Sequence, residues 1–111
     1  MEKVKINQYS DLFRGQKLGV RATKILYEYL IEVIDKKTNT TKVCRIELAN
    51  ILGATDRTVK NYLRRLVELD ALKYKFNGKI ILNPKYYFEG EIRDFDKTIE
   101  SYSKFITNKK N

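Results

Sequence analysis

Between residues 45 and 66, three positions stand at the spacing that two tightly crossed helices require. Ala49 is small enough to be approached closely by a following helix. Gly53, four residues on, is at ease with the positive φ of a sharp turn. Val59, six further on, offers a β-branched side chain to lock the second helix against the first. Leu48, Leu52, Ala54, Tyr62 and Leu63 supply the remaining apolar positions. Each residue alone is common; together they predict a helix-turn-helix, against the plainer reading of a helical hairpin that ends on a glycine.

The flanking sequence extends this unit. Upstream, Val20, Ile25, Leu26, Tyr29, Leu30, Val33 and Ile34 recur at helical spacing, an amphipathic helix of about four turns. The polar stretch 36–42 (KKTNTTK) reads as a loop, and Lys42–Arg45 as a very short strand. A compact helix over Ile46–Leu52 follows, then a longer one capped by Thr55 or Asp56 and running to about Asp70. After it the period changes to two: Leu72, Tyr74 and Phe76 alternate with Lys73, Lys75 and Asn77, with the aromatic pair read as core. Asn77-Gly78 suits a two-residue type I′ turn, Lys79–Leu82 returns as the second strand, and Asn83-Pro84 stops it. The expected fold is therefore mainly α with a small β-hairpin: a winged helix-turn-helix over 19–90. Residues 1–18 would form an N-terminal arm or short helix, and 91–111 a C-terminal helix.

With its apolar face buried, the second helix must turn Thr55, Arg57, Thr58, Lys60, Asn61, Arg64 and Arg65 to solvent. Arginine matches the O6/N7 edge of guanine, asparagine the N6/N7 edge of adenine, and threonine a phosphate or a thymine methyl. Recognition helices read bases from their N-terminal half, so Arg57, Thr58 and Asn61 are the expected base readers and Lys60, Arg64 and Arg65 the phosphate contacts. A plain solvated face is the alternative for any one of them. In the hairpin, Lys73, Lys75, Asn77 and Lys79 suit a ribbon laid along a phosphate backbone, or equally the protection of an exposed strand edge.

Composition points the same way. Twenty-three basic residues against 14 acidic give a formal charge of +9 in 111 residues, which favours a polyanionic partner, nucleic acid ahead of an acidic membrane. The chain has no histidine, which removes histidine-based catalysis and metal ligation, and a lone Cys44 makes neither a disulfide nor a thiolate metal site. Tyr86-Tyr87 resembles the nucleophile pair of strand-nicking enzymes, but those need a histidine-held metal. Asp94 and Asp96 have no cradle for Mg²⁺, and the segment 14–19 lacks the Lys-Ser/Thr end of a phosphate loop. No catalytic residue, metal or cofactor is expected. There is neither an apolar run of membrane-spanning length nor a secretory signal, so a cytoplasmic protein is expected.

Near the C-terminus, Ile92, Phe95, Ile99, Tyr102 and Ile106 form a two-heptad seam. It fits folding back onto the domain. It fits somewhat better a homodimer that reads two half-sites.

The combination Ala49…Gly53…Val59, the Lys-rich hairpin and the segment 81–90 (ILNPKYYFEG) resembles the replication proteins of small Firmicute plasmids, within the MarR-like winged-helix superfamily. The likeness covers residues 20–90. Two features depart from it: Arg45-Ile46 stands where the first helix usually has a Ser/Thr cap, and the second helix opens Thr-Asp-Arg rather than Ser-x-x-Thr. The resemblance implies replication initiation, while the residues themselves point to double-stranded DNA. Initiator and transcriptional regulator both remain open, as do a protein-interaction adaptor in a replication or segregation complex and an RNA binder.

Overall fold

The computed structural model describes residues 2–14, 20–75 and 77–106. Its elements are β1 (Lys3–Asn7), a 3-10 helix (Tyr9–Phe13), α1 (Val20–Val33), β2 (Thr40–Lys42), α2 (Arg45–Leu52), α3 (Asp56–Glu68), β3 (Leu72–Tyr74), β4 (Lys79–Leu82), β5 (Tyr87–Glu91) and α4 (Ile92–Lys104). The three central helices lie within a few residues of their expected positions: α1 and α3 each carry a continuous apolar stripe, and α2, with only Leu48 and Ala49 buried, is ended by the turn at Gly53.

The expected class, mainly α with one small hairpin, is corrected. Among the described residues 53% are helical and 21% in strands, and five strands form two antiparallel sheets. One sheet has the order β2-β4-β3, so the hairpin is flanked by a third strand; the other pairs β1 with β5. The stretch read as an arm or short helix holds a strand, registered Val4 to Gly90 and Ile6 to Phe88, followed by the short 3-10 helix that buries Leu12 and Phe13. The strand's alternation, with Val4 and Ile6 half-buried between exposed Lys3, Lys5 and Asn7, is a period-two pattern that a helical reading of this stretch overlooks.

The hairpin turn is also longer than expected. Lys75 N–H donates to the Lys79 carbonyl and Gly78 N–H to the Lys75 carbonyl, each at 2.8 Å. The connection therefore has three residues, with Gly78 in the left-handed region at φ +94°. Phe76, expected in the core, lies outside the described residues. In the observed register Lys73 opposes Ile81 and Tyr74 opposes Ile80. Lys73, Lys75, Lys79 and Ile81 consequently share one face of the sheet, and Leu72, Ile80 and Leu82 the other.

That second face meets the main core, built with Leu26, Tyr27 and Leu30 of α1, Leu48 and Ala49 of α2, and Val59, Leu63 and Leu66 of α3. The first face is partly roofed by α4. There Tyr102 and Phe105 lie against Lys73 and Lys75, while Phe95 packs edge-on against Phe88 of β5 in the other sheet, with ring centroids 5.1 Å apart.

Polar latches join these layers. Asn39, buried at φ +60°, donates through Nδ2 to the carbonyls of Leu82 and Tyr87 (both 3.0 Å), so one amide ties the two sheets together. Asp70, also left-handed, accepts from Tyr102 OH at 2.7 Å through Oδ1, while its carbonyl accepts from Asn83 Nδ2 at 2.8 Å. Asn83 of the Asn-Pro segment is thus a structural clamp between the end of α3 and β5.

Burial, and then the hydrogen bond to Asp70, raise the Tyr102 phenol above its ordinary value of 10.0; burial alone dominates for Tyr27, whose OH donates to the Ala71 carbonyl at 3.1 Å. Both phenols hold their protons in the folded chain. Their contribution to stability is whole below about pH 10 and is lost as the pH rises beyond it, because only the unfolded phenols then release protons freely. Thermal melts between pH 8 and 11 should show a falling midpoint. Tyr102→Phe should make that fall shallower while costing about 1–2 kcal/mol at pH 7. A midpoint unchanged at pH 11 contradicts this account.

Candidate nucleic-acid interface

α2 ends at Gly53, whose φ of +64° reverses the chain, and Ala54 N–H donates to the Ala49 carbonyl at 2.9 Å. Val59 is fully buried and Ala49 nearly so, as the spacing requires. Thr55 caps α3: its hydroxyl accepts from Thr58 N–H at 3.1 Å and donates to the Thr58 hydroxyl at 2.9 Å. Removing that cap with Thr55→Ala should cost about 1 kcal/mol in a chemical denaturation experiment.

The face of α3 opposite Val59, Leu63 and Leu66 carries exposed Arg57, Lys60, Asn61 and Arg64, with Arg65 half-buried. Asn61 Oδ1 accepts from Arg64 Nη2 at 2.8 Å, so an expected base reader and an expected phosphate contact hold each other across one turn. Asp56, the acid at the head of the helix, pairs with Arg45 (3.3 Å). This explains the departure at the start of α2. Cys44 stands at the cap position without a side-chain hydrogen bond, and Arg45 serves α3 by neutralising its one N-terminal carboxylate.

The hairpin lysines divide. Lys73 is not turned outward: its Nζ donates to the Tyr102 carbonyl at 2.8 Å and sits 4.6 Å from the centre of that ring, capping the end of α4. Lys75 lies 4.8 Å over the Phe105 ring. Asn77 is exposed, with Oδ1 accepting from Lys79 N–H at 3.0 Å. Lys79 is exposed and stands opposite Lys42 of β2. Lys42 is the contribution missed from sequence: the short strand read at Lys42–Arg45 lies instead at Thr40–Lys42, inside the stretch read as a loop, with Arg45 already in α2, and its pairing with β4 sets Lys42 beside Lys79. Like charges paired across a sheet repel, so this rung costs stability unless an anion lies over it.

The seam read from 92–106 is split. Phe95 and Tyr102 pack inside the chain, whereas Ile92, Ile99 and Ile106 are 46%, 45% and 72% exposed. A dimer seam using all five is incompatible with this packing, because Tyr102 is already fastened to Asp70.

The family profile described as Firmicute plasmid replication protein (RepL) matches residues 3–111. The chain belongs to the RepL family. The match spans the residues of β1 and α4 as well as those of the central helices. This RepL chain is accordingly a plasmid replication protein. Comparison with curated proteins and with solved structures finds no significant match. Among the described residues no helix is long and apolar enough to cross a membrane.

Proposed function

We propose that this protein serves plasmid replication by binding double-stranded DNA at specific sites through the exposed face of α3, as a non-enzymatic initiator or regulator. One observation carries the reading. The face of α3 away from the core presents Arg57, Lys60 and Arg64 to solvent, and its one N-terminal acid is cancelled from within the protein by Arg45. A helix held rigidly by its apolar side and cationic on the other suits the major groove. Arg57, exposed in the first turn, is the leading base reader; Lys79 and Lys42 supply phosphate contacts from the sheet.

The test begins with sites selected from a random duplex library. Arg57→Ala should cost about 1–3 kcal/mol on the selected site and relax preference at one base pair. Lys79→Ala should weaken selected and random duplexes alike. Equal losses for both variants on both duplexes contradict these roles. A palindromic selected site indicates two bound copies, and its position relative to an origin or promoter separates initiator from regulator.

A further inference from the structure

The outer face of the three-stranded sheet and the last turn of α4 enclose an open groove of about 360 Å³ that the reading of α3 does not use. Its walls are Lys75 and Lys79 from the hairpin, Lys104, Ser101 and Phe105 from the end of α4, and Thr38 and Thr40 beside β2. Three ammonium groups come from two parts of the chain, the hairpin and the end of α4; three hydroxyls accompany them, and among the described residues no carboxylate lines the groove. Lys104 does bond Glu100 outside it (2.7 Å), but both side chains are largely exposed, and such a surface pair yields readily to a better anion. Beyond Lys79 the cationic row continues to Lys42 on β2.

The size suits one nucleotide rather than a duplex, being near the lower end of small-ligand sites. From Lys75 to Lys42 the row crosses two strand spacings, about 10 Å, so it can follow a strand's backbone beyond a single nucleotide. The aromatic wall decides which strand. In a duplex the base faces are stacked on one another and closed to a protein ring, whereas an unpaired base offers its face to Phe105. The position of Lys75 over that ring shows that its π-surface is reached from the lysine side. A cationic groove beside an aromatic platform is what recognition of an unpaired strand needs.

We propose that this groove holds a nucleotide of single-stranded DNA, with Lys104, Lys75 and Lys79 on the phosphates and Phe105 against the base. The proposal shares nucleic acid as ligand, and the cations Lys75 and Lys79, with the duplex reading; Lys104 and Phe105 belong to the groove alone and carry its test.

Fluorescence anisotropy with labelled dT12, alongside a duplex carrying the selected site, tests it on the full chain. Lys104→Glu and Phe105→Leu should each weaken dT12 binding at least fivefold and leave duplex affinity within about twofold. Lys97→Glu, the same charge change at an exposed α4 position outside the groove, should leave dT12 binding within about twofold. Arg57→Ala should affect the duplex and spare dT12. No measurable binding of dT12, equal losses from Lys97→Glu and Lys104→Glu, or a loss of dT12 binding through Arg57→Ala alone overturns the proposal. If Arg57→Ala spares the duplex while Lys104→Glu still weakens dT12, the α3 reading fails and the groove stands.

Discussion

Replacing Gly78 with alanine should lower the melting temperature by roughly 10–15 °C, from a loss of about 3 kcal/mol. A Cβ built on Gly78 falls 2.2 Å from the carbonyl oxygen of Val43, a backbone atom that cannot rotate aside. The same two residues are joined by a 2.9 Å hydrogen bond from Val43 N–H to the Gly78 carbonyl, so the clash can be relieved only by parting the hairpin from the β2–α2 connection. The backbone at φ +94° adds strain for any residue with a side chain. Gly53 provides the comparison. Its φ of +64° is also left-handed, but nothing lies within 4 Å of its would-be Cβ. Gly53→Ala should therefore cost only the conformational penalty, about 1–2 kcal/mol. Circular dichroism melts of the two variants measure the difference, and a Gly53→Ala protein less stable than Gly78→Ala contradicts it.

The second large effect is on salt dependence. With Arg57 reserved for a base edge, the proposed phosphate contacts are five cations: Lys60 and Arg64 on α3, Lys42 and Lys79 on the sheet, and half-buried Lys75. Lys73 is left out of that set because the Tyr102 carbonyl holds it. Five displaced counterions predict a slope of log K against log salt of about −4.5, so affinity for the selected duplex should fall about five-hundredfold between 50 and 200 mM salt. The α3 variant Lys60→Ala should make the slope shallower by about one. A response that is flat with salt removes the phosphate contacts and favours the protein-interaction adaptor instead.

How much of this protein was legible beforehand depends on how far along the chain each instruction reaches. The helices α1, α3 and α4 announce themselves because residues three and four apart must share a face, a relation complete within one or two turns. The turn at Gly53 is equally local, and so is the cationic side of α3, which follows once Val59, Leu63 and Leu66 are assigned inward. The likeness of residues 20–90 to Firmicute plasmid replication proteins rested on such local features, and the family match extends it to 3–111.

Other features were written in the chain but ambiguous. Asn77-Gly78 fits a two-residue turn as well as the observed three-residue connection; the choice fell to the fit of Gly78 against Val43, a residue outside the hairpin. The apolar seam of α4 was correctly periodic, yet periodicity says that a face will be covered and not by what. Tyr102 is covered by its own chain because Asp70, in a left-handed turn 32 residues earlier, presents an acceptor there.

Residue order alone therefore determined the three amphipathic helices, the glycine-hinged crossing of α2 and α3, and the cationic character of the surface. Tertiary structure alone decided that Lys3–Asn7 would pair with Tyr87–Glu91, that α4 would roof the sheet, and that Lys73 would cap a helix while Lys42 joined Lys79. The reason is range: a helical stripe is satisfied among near neighbours, but the partner of a strand edge or a lysine is whichever distant surface the folded chain brings against it.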